Sequence, residues 1–354
     1  MATMHKSSRR SRGSLTIEDV AREAGVSAMT VSRVINKEKN VREQTRQTVL
    51  ETIERLNYSP NSAARNLAAG ETTHIGLLYS NPSAAYLSQF LVGALEAARE
   101  TGCHLVIEAC ESEEEAEQGE VGRRFANAEA EGVILPPPLS ESVPILTELA
   151  LANTPVVTVA MGKLYPNALN VRIDDFAAAK EMTEYLIGLG HRRIGLITGH
   201  PEHIASKERE RGFRAAVAEA GLLREDVSVE QGYFTFRSGL DAAEKLLARQ
   251  DPPSAIFASN DDMGAAAISV AHRRGLHVPG DLTVVGFDDT APATTVWPEL
   301  TTIRQPVSAM GAAALHLLLE DLRNRRRGGE GLSQEIVLEH EMVIRESSGP
   351  PNGG

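Results

Sequence analysis

Near the N-terminus the apolar residues recur with helical spacing. Ile17, Val20, Ala21 and Ala24 fall at i, i+3, i+4 and i+7, which predicts a helix that closes at Gly25. Thr16 and Asp19 resemble a capping box with Asp in place of Glu. Ser27 is placed to cap a second helix, in which Val31, Val34 and Ile35 form one apolar stripe while Thr30, Ser32, Arg33 and Asn36 point elsewhere. A third helix, roughly Glu43 to Leu56, turns Val49, Ile53 and Leu56 inward and Arg46 and Arg55 outward. Three short helices, the first two joined by a Gly-bearing turn, are the helix-turn-helix arrangement, whose second helix enters the major groove. Thr30, Ser32 and Arg33 suit phosphates or base edges, and Ala28 and Met29 suit thymine methyls. Pro60 breaks the third helix at 57–61, and Ser62 to Leu67 then has room for two turns. So short a helix is marginal in water, so the segment is either a linker or a helix ordered by a partner, with Leu67 free to wedge between base steps.

Beyond Thr73 the pattern changes to short apolar runs alternating with helical stretches. Strand-like His74 to Ser80 precedes helical Ala85 to Glu100, and His104 to Cys110 precedes Ser112 to Ala128; strands at Gly132 to Leu135 and Pro155 to Ala160 follow. A second succession runs from near Val171: helical Phe176 to Leu189, strand Arg193 to Thr198, helical Lys207 to Ala220, then strands around Val229, Ala255 to Ser259 and Thr283 to Phe287. Such βα succession predicts parallel sheets in two similar doubly wound lobes, with ligands outside the carboxyl ends of the strands. Polar residues collect at those ends: Ser80-Asn81, Asp174-Asp175, Ser259-Asn260-Asp261 and Asp288-Asp289. Facing ends form a cleft.

Charge sharpens this division. The net charge is −12, yet residues 1–70 hold 12 Lys and Arg against 7 Asp and Glu, while residues 71–354 hold 24 against 41. A basic head on an acidic body confines contact with a polyanion to one end. No apolar run approaches the roughly 18–20 residues that cross a bilayer, and no apolar stretch after the basic start reads as an export signal, so a cytoplasmic, nucleoid-associated protein is expected. The two cysteines, Cys103 and Cys110, sit among apolar residues and read as reduced thiols.

The glycines of Gly195 to Gly199 and Gly286 lie beside strands without the spacing of a phosphate loop. Asp288 and Asp289 fit acid-base work, a metal or hydroxyl binding, and His191, His200 and His203 invite a similar reading, although His191 with Arg192 and Arg193 also suits a helix end. Glu113 to Glu115 reads as a solvated helix start. No enzyme activity, cofactor or metal is expected.

The run Thr16-Ile-Glu-Asp-Val-Ala-Arg-Glu-Ala-Gly-Val-Ser, then Thr30-Val-Ser-Arg-Val-Ile-Asn, Leu56-Asn-Tyr-Ser-Pro-Asn and Ala64-Arg-Asn-Leu67 resembles the DNA-binding head and hinge of the LacI/GalR transcriptional regulators, and the match runs to about residue 346. The resemblance implies an N-terminal all-α helix-turn-helix head with a hinge helix, followed by an α/β two-lobed, periplasmic-binding-protein-like body of two doubly wound parallel sheets. The expected divisions are a basic disordered tail at 1–14, the helix-turn-helix domain at 15–59, the hinge helix at 60–70, a ligand-binding and dimerisation domain at 71–346 and a disordered tail at 347–354. Lobe one takes about 72–173 plus 306–332 and lobe two about 174–303 plus 334–346. Crossings are expected near Val171 to Asp174, Thr302 to Gln305 and Gly328 to Gln334, with Glu335 to Arg345 returning to the second lobe.

By the same resemblance Thr16, Ser27, Ala28, Met29, Thr30, Ser32, Arg33 and Asn36 meet DNA in the head, and Tyr58, Asn61, Ala64, Arg65 and Leu67 in the hinge. Ala28 and Met29 align with variable base-reading positions. Tyr86, Asp174, Arg209, Phe234, Asn260 and Asp288 are the expected ligand contacts. Ala160 and Met161 depart from the polar or larger residues of related pockets. The implied protein is a homodimeric repressor on a near-palindromic operator of double-stranded DNA, controlled by a small polar effector such as a sugar or sugar derivative. No leucine heptad follows Arg345, so a dimer is expected instead of a coiled-coil tetramer. A cytosolic sugar-binding protein without operator specificity is the alternative; an exported solute-binding protein needs an export signal and no head, and an enzyme must turn its ligand over.

Overall fold

The computed structural model describes residues 17–35, 41–56, 73–110, 112, 114–127, 130–162, 169–223 and 226–352. The chain divides into two units, Met1–Gly70 and Glu71–Gly354. The expected tail at 1–14, the hinge at 60–70 and the candidate DNA contacts Thr16, Asn36, Tyr58, Asn61, Ala64, Arg65 and Leu67 lie outside the described residues.

In the first unit α1 (Ile17–Glu23), α2 (Ala28–Ile35) and α3 (Glu43–Arg55) enclose a small core of Val20, Ala21, Val31, Val34 and Val49, with Ile17, Ile53 and Leu56 at its edge. Gly25 turns the chain between α1 and α2 at φ 67, a left-handed conformation that glycine adopts without Cβ strain. Ser27 caps α2: its Oγ accepts the Thr30 N–H at 3.2 Å and lies 2.9 Å from Thr30 Oγ1. Arg55 reaches across to Glu23 at 2.9 Å and ties α3 to α1. Arg46 is half-buried, not outward as its place in the helical pattern implied.

The second unit runs β1 (His74–Tyr79), α4 (Ala84–Thr101), β2 (His104–Ala109), α5 (Glu115–Ala126), β3 (Gly132–Leu135), a 3-10 turn (Leu139–Glu141), α6 (Val143–Leu151), β4 (Val156–Val159) and β5 (Leu169–Arg172). It continues with α7 (Asp175–Gly188), β6 (Ile194–Thr198), α8 (Ile204–Glu219), β7 (Val227–Gln231), α9 (Phe236–Leu247), β8 (Ala255–Ala258), α10 (Asp261–Arg273), β9 (Thr283–Asp288), α11 (Ala291–Thr295) and β10 (Thr301–Arg304). Last come α12 (Val307–Arg326), β11 (Gln334–Val337) and β12 (Glu341–Val343). One sheet has the order β11-β5-β4-β3-β1-β2 and the other β12-β10-β9-β8-β6-β7, so each lobe repeats the other's winding. Strands β3, β6, β8 and β9 are buried along their whole length, as strands covered by helices on both faces must be.

The path of the last strands and of the C-terminal segment differs from expectation. The segment Glu335 to Arg345 does not return to lobe two as a whole: β11 pairs in parallel with β5, Ile336 beside Val171, and only β12 joins the second sheet, antiparallel to β10. Glu335 fixes this placement, because it takes both Nε (2.9 Å) and Nη2 (3.0 Å) of Arg172 on the neighbouring strand. The third crossing therefore lies at 338–340, not at Gly328 to Gln334; the other two fall at 173–174 and 305–306. The second sheet is consequently mostly, not wholly, parallel.

The C-terminal segment 347–352 is docked on lobe two, not a disordered tail. Ser347 is fully buried; its Oγ donates to the Val284 carbonyl at 2.6 Å and accepts the Thr301 N–H at 2.8 Å. Gly349 receives Thr283 Oγ1 on its carbonyl at 2.9 Å, and His191 Nε2 sits 2.9 Å from the same oxygen. Polar groups hold this segment, which is why an apolar pattern does not reveal it.

Candidate functional site

The strand ends of the two lobes face one another across a cleft with a space of about 50 Å³. From lobe one, the turn after β1 contributes Asn81 and Ser83, α4 contributes Tyr86, and the turn after β3 contributes Glu141. From lobe two, α8 contributes His203, its cap residue, and Arg209, while the turns after β7 and β8 contribute Phe234 and Asn260 and the last residue of β9 contributes Asp288. Gln305 lines the cavity from the second crossing. Five of the six expected ligand contacts (Tyr86, Arg209, Phe234, Asn260 and Asp288) thus converge on one space. Asp174 does not. Its carboxylate caps α7 by accepting the Ala177 N–H at 2.9 Å and is exposed, and the next residue, Asp175, turns inward instead.

Arg209 organises the lobe-two wall. Gly212, one turn further along α8, lets the helix press against the Phe176 carbonyl of α7, closer than any Cβ would permit, and this holds Arg209 beside Asp175. The Arg209 side chain is 6% exposed; Nε donates to Asp175 Oδ1 at 2.9 Å and Nη1 to the Ser259 carbonyl, with Asp288 Oδ1 at 3.7 Å. The guanidinium lies 3.7 Å from the ring centroid of Phe287, a cation–π contact. Asp288 is held at φ 112 and accepts Gln305 Nε2 at 2.7 Å. Asp261 steadies that turn, taking the Thr290 N–H at 2.7 Å and Thr302 Oγ1 at 2.6 Å. Asn260 caps α10 through the Met263 N–H at 3.0 Å and donates to the Phe234 carbonyl at 2.9 Å, fixing Phe234 at φ 60.

Burial governs protonation here. It pushes the Asp288 carboxyl up to about 7 despite the opposing pull of Arg209 and Gln305, and it raises Asp175 against the same arginine. Burial also raises Glu141 to about 7, although Ile204 and Lys207 work against it, and lowers His203 to about 4, leaving the imidazole neutral. His203 stacks at 4.5 Å on His200 and at 5.9 Å on Phe234, an aromatic wall. The Tyr86 hydroxyl is buried with no hydrogen-bond partner among the described residues.

Contacts between lobes close the cleft. Ser83 Oγ donates to Asp262 Oδ2 at 2.6 Å, and Gln89 Nε2 to the Asp289 carbonyl at 3.3 Å. Helix α8 has no side-chain cap from His203; Glu141, from the opposite lobe, accepts the Ile204 N–H at 3.0 and 3.1 Å and supplies it. No group of three His, Cys, Asp or Glu among the described residues could hold a metal ion. His191 is instead buried between Ser254 and Gly349, and both cysteines are buried and unpaired with each other.

On the head, Met29 is 64% exposed and shares a helix face with the half-buried Ser32 and the exposed Arg33, opposite Val31 and Val34. Ala28 is half-buried against the head core.

Residues 16–61 match the model of the lacI family of bacterial regulatory proteins, and residues 183–348 match a periplasmic binding protein-like domain. Catabolite control protein A of Priestia megaterium is 35% identical over 338 residues, covering 94% of this chain and 99% of the relative. The chain belongs to the LacI family. The HTH-type transcriptional repressor PurR of Photobacterium profundum is 33% identical over 335 residues, covering 94% of this chain and 98% of the relative. Among solved structures, the transcriptional regulator CelR in complex with cellobiose superposes with a TM-score of 0.71 at 32% identity, covering 94% and 99% of the two chains. The lac repressor dimer bound to operator and the anti-inducer ONPF gives 0.68 at 25%, covering 95% and 100%. Like these LacI-family relatives, the protein is a DNA-binding transcriptional regulator and not an enzyme. No helix among its described residues is long and apolar enough to cross a membrane.

Sequence reasoning missed Glu141, His203 and Gln305 as cavity residues in this LacI-family body. Glu141 follows Pro136-Pro137-Pro138 beyond the end of β3, where the sequence shows no polar residue directly after the strand. Asp175 and Asp174 are indistinguishable by type, and only the cap geometry, with Asp174 on the Ala177 N–H and Asp175 on Arg209, tells the two apart.

Proposed function

We propose that the protein is a repressor that binds a near-palindromic operator as a homodimer in the cytoplasm, at the nucleoid, and that a small polar molecule in the cleft controls it. The convergence of Tyr86, Arg209, Phe234, Asn260 and Asp288 from separate elements of both lobes on one cleft carries this reading. A sugar or sugar derivative suits the residues: the acceptors of Asp288 and Asn260 and the hydroxyl of Tyr86 match a polyhydroxy ring, and Phe234 offers it an apolar face. The relatives named for catabolite control and for cellobiose point the same way. In the head, Ser27, Met29, Thr30, Ser32 and Arg33 present the groove-facing surface, and Thr16 and Asn36, outside the described residues, are assigned to DNA by the family resemblance alone. In the hinge, Tyr58, Asn61, Ala64 and Arg65 accompany Leu67, the minor-groove wedge. The effector acts only through different affinity for the DNA-competent and DNA-incompetent states.

Selection from a random duplex pool at fixed salt, repeated with sugars, sugar phosphates and purines, tests the whole reading. A palindromic site whose occupancy responds to one compound supports it. Absence of sequence-specific binding refutes it, and leaves a cytosolic ligand-binding protein.

A further inference from the structure

The charges around the cleft are unevenly committed. Arg209 is the one Lys or Arg that lines the cavity among the described residues, and two of its donors, Nε and Nη1, already meet Asp175 and the Ser259 carbonyl, with Asp288 close by. His203 is neutral, and the exposed Lys207 donates to the Glu202 carbonyl outside the cavity. Two carboxylates line the space from opposite lobes, Glu141 and Asp288, with Asp175 behind the arginine. The buried Tyr86 hydroxyl has no partner among the described residues.

We propose that the cleft selects its effector by charge: it takes an uncharged polyhydroxy compound, tolerates an amine, and excludes molecules bearing a phosphate or a carboxylate. This deepens the reading of the cleft as an effector site and rests on it. A donor-rich neutral ligand meets acceptors on both walls. An anion meets a carboxylate on each wall, while the one guanidinium there is already shared with Asp175, Asp288 and the Ser259 carbonyl, and like charges about 4 Å apart in protein surroundings repel by enough to cost at least about tenfold in affinity. Burial has already raised both carboxyls toward neutrality; an anion would raise them further, whereas hydroxyl or ammonium donors relieve them.

The test is calorimetric titration of the full-length protein, near pH 8 at fixed salt, with matched sets: a parent sugar, its amino derivative, its phosphate ester and its uronic acid, for several hexoses, pentoses and disaccharides. Nucleobases, nucleosides and simple polyamines complete the panel. The expected result is a tightest binder that is uncharged or cationic, with its anionic counterpart at least about tenfold weaker, the gap narrowing in Glu141→Gln or Asp288→Asn. If a sugar phosphate or uronate binds tightest, the charge assignment is overturned while the sugar reading stands. If a nucleobase or polyamine binds tightest, the charge assignment holds and the sugar reading falls. A gap unchanged by both substitutions also overturns the assignment, because those carboxylates are its stated cause.

Discussion

Replacing Arg209 with Ala removes the one positive charge among Asp175, Asp288 and the Ser259 carbonyl, all of them buried. Breaking a buried ion pair from one side costs about 3–5 kcal/mol, because the orphaned carboxylate is left without compensation. Here two carboxylates lose the same partner, and the packing on Phe287 goes with it. In a body of this size that loss lowers Tm by roughly 5–15 °C. Since Asp175 and Asp288 already sit above their ordinary range, each can shed its charge by taking up a proton, so the deficit is smaller near pH 5.5 than near pH 8. Thermal unfolding followed by circular dichroism at both pH values measures it. Arg209→Met combined with Asp175→Asn should recover at least about 1 kcal/mol relative to the sum of the single changes, since the pair is lost together. A Tm within about 2 °C of the parent, or strict additivity, would refute the account of Arg209 as the keystone of the lobe-two wall. Well below the transition the head, with its own core, should still bind DNA while effector control is lost.

Glu141 ionises near pH 7 in the folded body and near its ordinary value when unfolded, so the native state holds the extra proton between about pH 4.5 and 7 and loses stability as pH rises through that window. His203, lowered to about 4, acts in the opposite sense below pH 6.5, so the comparison that isolates Glu141 is the Tm difference between Glu141→Gln and the parent: it should grow more positive from pH 5 to pH 8 by the equivalent of about 1–3 kcal/mol, and a flat difference would contradict the burial argument. Gly212→Ala forces a methyl onto the Phe176 carbonyl and should cost roughly 1–3 kcal/mol in urea unfolding; a neutral effect would mean that α7 and α8 part without penalty. Ser347→Ala strips a hydroxyl from between the Val284 carbonyl and the Thr301 N–H and should cost about 1–3 kcal/mol, whereas an unstructured tail predicts no change.

Much of the molecule is legible in its sequence because the signals are local. The helical spacing of Ile17, Val20 and Ala21, of Val31 and Val34, and of Val49, Ile53 and Leu56, with the cap at Ser27 and the turn at Gly25, each reports on a helix within a few residues of itself, and all three head helices form where these mark them. Strand ends followed by polar residues likewise announced Asn260, Asp288 and the cleft they face. What tertiary structure alone decided are the choices between neighbours and the pairings across long separations. Asp174 and Asp175 are identical in type, and only the angle at which α7 starts sends one to solvent and the other to Arg209. Glu335 finds Arg172 and Ser347 finds Thr301 across intervening lobes of chain, through single charged or hydroxyl groups that leave no periodic trace. Glu141 matters because closure brings it against the uncapped start of α8. Periodicity records which face of an element is buried; which partner waits on that face depends on how the elements come together in space.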